Sequence, residues 1–222
     1  LRKGVDPVLE FYEDLRLAFL NNNPEEFNSA VASIKKASVD RAPEQVDKIL
    51  FEKNYNKFEP FYRSSLAYIL IFASACLSWL CLAGKSENFN PENSNYYKNF
   101  AYYLTIITLV GHTFGLLGRM YIEGRPPVTN LYSSALFIGW GAVLLCWLTE
   151  KYLRLGIASS MGAVVGGGSL VIAHNLSLDS SLNPTGDTME MMRAVLDSNF
   201  WLATHVVNVT IGYSTTFLAG FL

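Results

Sequence analysis

The stretch SSLAYILIFASACLSWLCLAG, residues 64–84, contains 21 residues without a single Asp, Glu, Lys or Arg. A helix advances about 1.5 Å per residue, so roughly 20 apolar residues are enough to cross a hydrocarbon core of about 30 Å. This stretch therefore predicts a transmembrane helix.

Four more uncharged intervals, each 20 to 25 residues long, follow at residues 99–118, 126–149, 155–178 and 198–222. Their repetition excludes a soluble globular enzyme, and their continuous apolar character excludes a transmembrane barrel, whose strands show about ten alternating residues. We predict an all-α fold, a polytopic membrane helical bundle of about five transmembrane helices. The spans are expected at residues 64–81, 101–120, 131–148, 157–174 and 200–222.

The charged residues divide the chain into two chemically different parts. Of the 36 charged residues, 21 lie within residues 1–63. Apolar residues in this part repeat at helical spacing, and Asn23-Pro24-Glu25 is typical of a helix N-cap followed by proline. We predict a short amphipathic helical region at 1–60, with helices at 24–36 and from about residue 42. Residues 61–222 then form the membrane domain, which we expect to continue beyond Leu222.

Cysteine usage and net charge exclude several other classes of protein. Cys76, Cys81 and Cys146 lie inside apolar intervals, and the sequence contains no CxxC or CxxCH. This pattern argues against a disulfide scaffold, a zinc site, a c-type cytochrome and a thioredoxin-like enzyme. The net charge of −2, without a basic stripe, argues against a nucleic-acid partner.

All three histidines, His112, His174 and His205, lie at or near membrane depth. Ionisable groups are costly there and are therefore candidates for function. A neutral imidazole can bind haem iron or relay protons, but it can also be a hydrogen-bonded packing residue. Both interpretations stay open for each histidine.

The predicted topology brings several polar residues to one face of the membrane. The second and fourth spans end there, and the third and fifth spans begin there. The set suits a flat, apolar, dianionic ligand such as haem, although arginines and aromatic residues also anchor spans at the membrane interface. This face collects Arg119, Arg125, Asn130, Tyr132, His174, Trp201 and His205.

Two segments of the sequence carry a resemblance to a known family. GRPPVTNLYSS, residues 124–134, resembles the G-x-x-P-x-(S/T)-N-L-Y-E-S segment of the CcsA/ResC family of cytochrome c assembly proteins. LDSNFWLATHV, residues 196–206, is similar to the L-x-S-N-x-W-L-x-x-H-V segment of the same family. The resemblance covers about residues 100–222.

The resemblance implies a haem-handling function. His205 matches a histidine that serves in the family as an axial ligand to haem iron on the extracytoplasmic face. A b-type haem would be held non-covalently and in transit, and presented for covalent attachment to the CxxCH of apocytochrome c, which is holocytochrome c synthase activity if the chain is an enzyme. Arg119 and Arg125 are expected at the propionates, with Asn130, Tyr132 and Trp201 beside them.

The same resemblance implies a location and partners. The membrane would be the bacterial inner membrane or a thylakoid-type membrane, with residues 1–60 on the extracytoplasmic side. A ResB-like membrane subunit or fused domain is the expected protein partner, besides apocytochrome c and the lipid bilayer. His112 would line a path for haem or electrons, or would pack between helices.

The sequence also departs from the family pattern and leaves rival functions open. The family's tryptophan-rich motif and second external histidine do not occur, and Ser133 replaces the usual glutamate. A transporter or channel component would use the intramembrane histidines and the glycine-rich fourth span for conduction. A quinone-linked cytochrome b-like carrier is less favoured, because no span contains two histidines. If the glycines at 162 and 166–168 do not serve conduction, they form a helix face of small residues that lets a neighbouring helix pack closely.

Overall fold

A computed structural model describes residues 7–84, 91–178, 188–189 and 199–221. These residues are helical with short turns, and no strand occurs among them. The all-α prediction is therefore confirmed. The chain divides into two compact units between Asn54 and Tyr55.

The first unit begins with two paired helices, α1 at Pro7–Leu20 and α2 at Pro24–Arg41. The Asn23 side chain accepts hydrogen bonds from the backbone N–H groups of Glu25 and Glu26, and Pro24 occupies the first turn. The predicted N-cap is thus confirmed, although α2 continues five residues beyond residue 36. A 3-10 turn, Pro43–Gln45, then leads into α3 at Val46–Phe58. The domain boundary at residue 60 stays a prediction.

Four long helices form the centre of the second unit. They are α4 at Pro60–Ala83, α5 at Pro91–Glu123, α6 at Leu131–Leu153 and α7 at Ile157–Leu178. Among the described residues, four segments are long and apolar enough to cross a membrane: α5, α6, α7 and Pro43–Ala83, which contains α4. The chain is therefore an integral membrane protein with a polytopic helical fold, as predicted.

The outer surface of these helices supports the same conclusion. Large apolar side chains point outward, with Ile69 63% exposed, Val110 65% exposed and Ile172 58% exposed. Such a surface is stable in lipid and unfavourable in water. The core lies between the helices and includes Tyr68, Ile71, Leu109, Leu136, Val143 and Leu170.

The fifth predicted span forms the helix α8, Asn199–Phe221, but it is not among the four apolar segments. It is 23 residues long and contains no charged residue, but Thr, Ser, Asn and His side chains are interspersed along it. Four of the five predicted spans are thus apolar enough within the described ranges, and a membrane crossing by α8 stays a prediction. Ser214 of α8 donates a hydrogen bond to the carbonyl of Ile138 in α6 at 3.0 Å.

Alternation of direction gives the second unit two ends. We call one the cleft end, where α4, α6 and α8 begin and α5 and α7 end. The other is the basic end, where α4 and α6 end and α5 and α7 begin. Ser78 and Ser94 join α4 to α5 at the basic end through hydroxyl groups 3.0 Å apart.

The glycine-rich face of α7 packs closely on neighbouring helices. A Cβ atom at Gly162 would lie 2.9 Å from Cβ of Cys146, and one at Gly166 would meet side-chain atoms of Val143 and Tyr68. Real Cβ atoms essentially never approach another heavy atom this closely. The predicted role of these glycines in helix packing is confirmed, whereas Gly168 faces open space.

Replacing Gly162 with leucine is expected to lower the midpoint of thermal unfolding in detergent. Overpacking a tight contact costs about 1–3 kcal/mol, which corresponds to roughly 2–10 °C in a chain of this size. Gly168→Leu is the matched control and should shift the midpoint by less than about 2 °C, because it meets no atom within 4 Å. Equal shifts in both variants would contradict close packing at Gly162.

Candidate functional site

A cleft of about 800 Å³ opens at the cleft end of the second unit. This volume is within the range of about 300–1,000 Å³ that is typical of small-molecule sites. Aromatic and aliphatic side chains make most of its wall, with a few polar groups among them. Its lining includes Tyr55, Phe61, Arg119, Tyr132, Leu136 and His174.

Arg119 is the central charged residue of this cleft. It is only 6% exposed, and its guanidinium lies 2.8 Å from the Glu123 carboxylate, one helical turn along α5. The guanidinium also donates to the backbone carbonyl of Thr188 at 2.8 Å and lies 4.8 Å from the centroid of the Tyr132 ring. Several directed contacts therefore hold Arg119 in one orientation.

The ion pair with Glu123 adds a residue that the sequence prediction missed. The sequence prediction assumed that an anionic ligand balances the charge of Arg119. In the structure, the carboxylate of Glu123 on the same helix already neutralises part of that charge. Two residues four positions apart lie on the same face of a helix, so this ion pair could have been predicted from the sequence.

Asn130 is the N-cap residue of α6 and connects the start of this helix to Thr188. Its side-chain oxygen accepts from the Ser133 N–H at 2.8 Å, and its amide nitrogen donates to the Thr188 carbonyl at 2.8 Å. The Ser133 hydroxyl accepts in return from the Asn130 N–H at 2.9 Å, which completes a capping box. Asn130 thus positions Tyr132 and the N-terminus of α6.

This capping box explains a departure from the family pattern. In a capping box, the third helical residue returns a hydrogen bond to the N-cap, and glutamate commonly does so. Ser133 occupies that position and makes the bond with its shorter side chain. The replacement of glutamate by Ser133 therefore leaves the start of α6 intact.

His112 lies inside the helix bundle and does not line the cleft. Its side chain is fully buried, with Nδ1 3.0 Å from the Tyr68 hydroxyl and the Phe61 ring edge-on at 5.6 Å between centroids. Its Nε2 has no hydrogen-bond partner among the described residues. The contacts are those of a packing residue, and a role in haem or electron transfer stays a prediction.

His205 and Trp201 lie on α8 and are exposed, and neither lines the cleft. A Cβ atom at Gly141 of α6 would lie 2.7 Å from the Ser214 hydroxyl, so these two positions are in contact. Leu218 packs on the cluster that contains Cys146, so α8 runs parallel to α6.

This packing sets the height of His205 in the bundle. Nine residues separate His205 from Ser214, and nine separate Tyr132 from Gly141. Both helices rise by the same distance per residue, so His205 lies at about the same level along the helix axes as Tyr132.

The structure therefore brings together part of the predicted set. Arg119, Asn130 and Tyr132 meet at the cleft end, whereas Arg125 is exposed after the turn at Gly124. His174, for which the sequence left both a ligand role and a packing role open, lines the cleft.

Tyr55 is a further residue that sequence reasoning missed. Its hydroxyl donates to the Gly115 carbonyl at 2.8 Å and so fixes one wall of the cleft. No local pattern indicated it, because the contact joins residues 60 positions apart.

Fold and site together define a polytopic helical membrane protein with a partly polar cleft at one membrane face. No family model matches the chain. The cytochrome c biogenesis protein CcsA of Prochlorococcus marinus strain NATL2A is 26% identical over 178 residues, covering 78% of this chain and 50% of that protein. CcsA of Guillardia theta is 28% identical over 168 residues, covering 72% and 49%.

Protein NrfI of Wolinella succinogenes is 26% identical over 175 residues, covering 79% of this chain and 18% of that protein. These similarities support the CcsA/ResC resemblance that its two motifs predicted. The chain spans about half the length of the CcsA proteins that it matches.

Proposed function

We propose that this chain functions in cytochrome c biogenesis and holds haem at its cleft end for attachment to the CxxCH of apocytochrome c. The observation that carries the proposal is the buried, oriented guanidinium of Arg119 in an aromatic-lined cleft. The similarity to proteins named for cytochrome c biogenesis supports the same role.

The residues present fit a flat ligand with two carboxylates. Phe61, Tyr132 and Leu136 offer apolar surface to a macrocycle, and a cleft of about 800 Å³ has room for one. Glu123 and Thr188 together use three of the five N–H donors of Arg119, which leaves two for a propionate. Arg125 supplies a second cation on the same membrane face.

His205 is proposed as the axial ligand to the iron. It lies outside the cleft at about the level of Tyr132 with an exposed side chain, so its assignment is supported by its match to the family's haem-ligating histidine. Haem supplies the vinyl groups to which the substrate thiols add. The protein itself would bind, orient and shield the haem, so its contribution to the reaction is mainly positioning.

We also propose on which side of the membrane the cleft end lies and which partners the protein binds. Residues 1–60 and the cleft end would lie on the extracytoplasmic side of a bacterial inner or thylakoid-type membrane. Lys151 and Arg154 at the basic end would then be cytoplasmic, in agreement with the positive-inside rule. A ResB-like subunit or fused domain and apocytochrome c are the proposed partners, and the haem is b-type, non-covalent and in transit.

The visible spectrum of the purified full chain tests the role of His205. His205→Ala should reduce the retained haem, read from the Soret band, by roughly tenfold, which corresponds to about 1.4 kcal/mol of lost binding. Added imidazole should restore the band, because it replaces the missing ligand without repairing a folding defect.

The comparison variant is His174→Ala, because it removes the histidine that lines the cleft. An unchanged Soret band in His205→Ala would overturn the assignment. A loss in His174→Ala alone would also overturn it and would move the axial ligand into the cleft.

A further inference from the structure

A second pocket, of about 330 Å³, lies at the basic end of the membrane unit. It is formed where α5 begins and α6 ends, away from the cleft described above. Its lining includes Lys98, Asn99, Tyr102, Glu150, Lys151 and Arg154. Three cations thus face one small volume beside a single carboxylate.

The carboxylate of Glu150 is already engaged with the backbone. Its two oxygens accept from the N–H groups of Gly156 at 2.7 Å and Ser159 at 3.1 Å, and the residue is only 2% exposed. These bonds stabilise the N-terminus of α7, where the helix dipole favours negative charge. Within the described part of the chain, no ion pair joins Lys98, Lys151 or Arg154 to a carboxylate.

The turn between α6 and α7 holds the pocket in shape. Gly156 has a positive φ of 79°, and the position that its Cβ would occupy lies 3.6 Å from Cγ of Lys98. The stem of Lys98 therefore packs against the turn. Trp79 of α4 donates its indole N–H to the carbonyl of Leu155 at 3.4 Å and ties the same turn to a third helix.

The position of the cations along the helices places them at the edge of the membrane. The uncharged interval of α5 begins directly after Lys98, and that of α6 ends directly before Glu150. Tyr102 and Tyr103 follow Lys98 by one turn, as in the aromatic belts at lipid head groups. The pocket thus opens at the depth where lipid phosphates lie.

We propose that this pocket binds the phosphate of an anionic phospholipid. Three cations without carboxylate partners favour an anion, and the side chains of Asn99, Tyr102 and Tyr103 add hydrogen-bonding groups to the lining. Basic pockets at the ends of transmembrane helices bind such head groups through the same chemistry. The site is independent of haem binding at the cleft end.

Lipid retention by the purified full chain tests this proposal. The protein is exchanged from phosphatidylglycerol–phosphatidylcholine mixed micelles into plain detergent, and retained lipid is quantified by native mass spectrometry. The wild type should retain phosphatidylglycerol over phosphatidylcholine by roughly tenfold or more, since the basic residues attract the net negative charge that only phosphatidylglycerol carries. The triple variant Lys98→Gln, Lys151→Gln, Arg154→Gln should retain both lipids about equally.

Two further variants separate charge from folding. Lys98→Arg with Lys151→Arg keeps the charges and should keep the preference. Lys35→Gln with Lys36→Gln removes two exposed cations elsewhere and should also keep it. Equal preference in the wild type and the triple variant would overturn the proposal, as would loss of preference in the Lys35/Lys36 control.

A competition experiment with a soluble anion tests whether the bound phosphate group belongs to a lipid or is free phosphate. Inorganic phosphate at 10 mM, on the order of a physiological concentration, is added during the exchange. Continued retention of phosphatidylglycerol supports a lipid head group, because a free phosphate lacks the acyl chains that hold the lipid beside the helices. Complete displacement of the lipid would overturn the lipid assignment in favour of a soluble phosphate.

Discussion

Replacement of Arg119 with methionine is expected to destabilise the membrane unit by about 3–5 kcal/mol, the cost of leaving one partner of a buried ion pair uncompensated. The side chains of Arg119 and Glu123 are 7% and 6% exposed, so water cannot easily solvate the remaining carboxylate. The loss of the contacts to Thr188 and Tyr132 adds to this cost. Denaturation of the purified protein in mixed micelles measures the free energy of unfolding.

The double variant Arg119→Met, Glu123→Leu should recover most of that stability, because it leaves no buried charge. Arg63→Met is the control: Arg63 is exposed and stacks on Phe58 at 4.9 Å, so its loss should cost less than about 1 kcal/mol. If the double variant were as unstable as Arg119→Met, the ion pair would not be the source of the effect.

The same pair also separates stability from ligand binding. Glu123→Gln removes the charge that neutralises Arg119 but keeps a polar side chain. If the cleft holds an anionic ligand through Arg119, this variant should retain that ligand at least as well as the wild type while being less stable.

Replacement of Glu150 with alanine is expected to cost about 2–6 kcal/mol, because it leaves two buried N–H groups without acceptors at about 1–3 kcal/mol each. The affected groups belong to Gly156 and Ser159, where α7 begins. Amide hydrogen exchange followed by mass spectrometry should show faster exchange in the first turn of α7. The overall free energy of unfolding should fall in the same variant.

Two other substitutions calibrate this result. Glu150→Gln retains one acceptor oxygen and should recover roughly half of the loss. Glu44→Ala removes an exposed carboxylate in the first unit and should change stability by less than about 0.5 kcal/mol. Unchanged exchange at Gly156 and Ser159 in Glu150→Ala would contradict the structural role of this carboxylate.

Helix starts were predicted best where the chain carries a local signal. α6 begins at Leu131 and α7 at Ile157, as expected, because a capping residue or a turn stands directly before each. α5 instead begins at Pro91, ten residues before the predicted span. The uncharged interval marks only the part of the helix that lies in lipid. The helix itself can continue into water, where charged residues are not costly.

Polar contacts between distant segments were not predictable in the same way. The Tyr55 hydroxyl meets Gly115, and Thr188 receives hydrogen bonds from both Arg119 and Asn130. Each contact depends on how far one helix is rotated and shifted against another. Periodicity reports which face of a helix is apolar, but not which residue of a neighbouring helix it meets.

The amino-acid sequence by itself determined the class of this protein, since charge-free intervals of membrane length can form only internally hydrogen-bonded helices in lipid. It also carried the resemblance to the CcsA/ResC family, through two motifs in the correct order. Only the tertiary structure decided that Arg119 is paired with Glu123, that His174 lines the cleft while His205 stands outside it, and that three cations converge at the opposite end. These arrangements follow from the packing of helices on small residues, and the register of that packing is set in three dimensions.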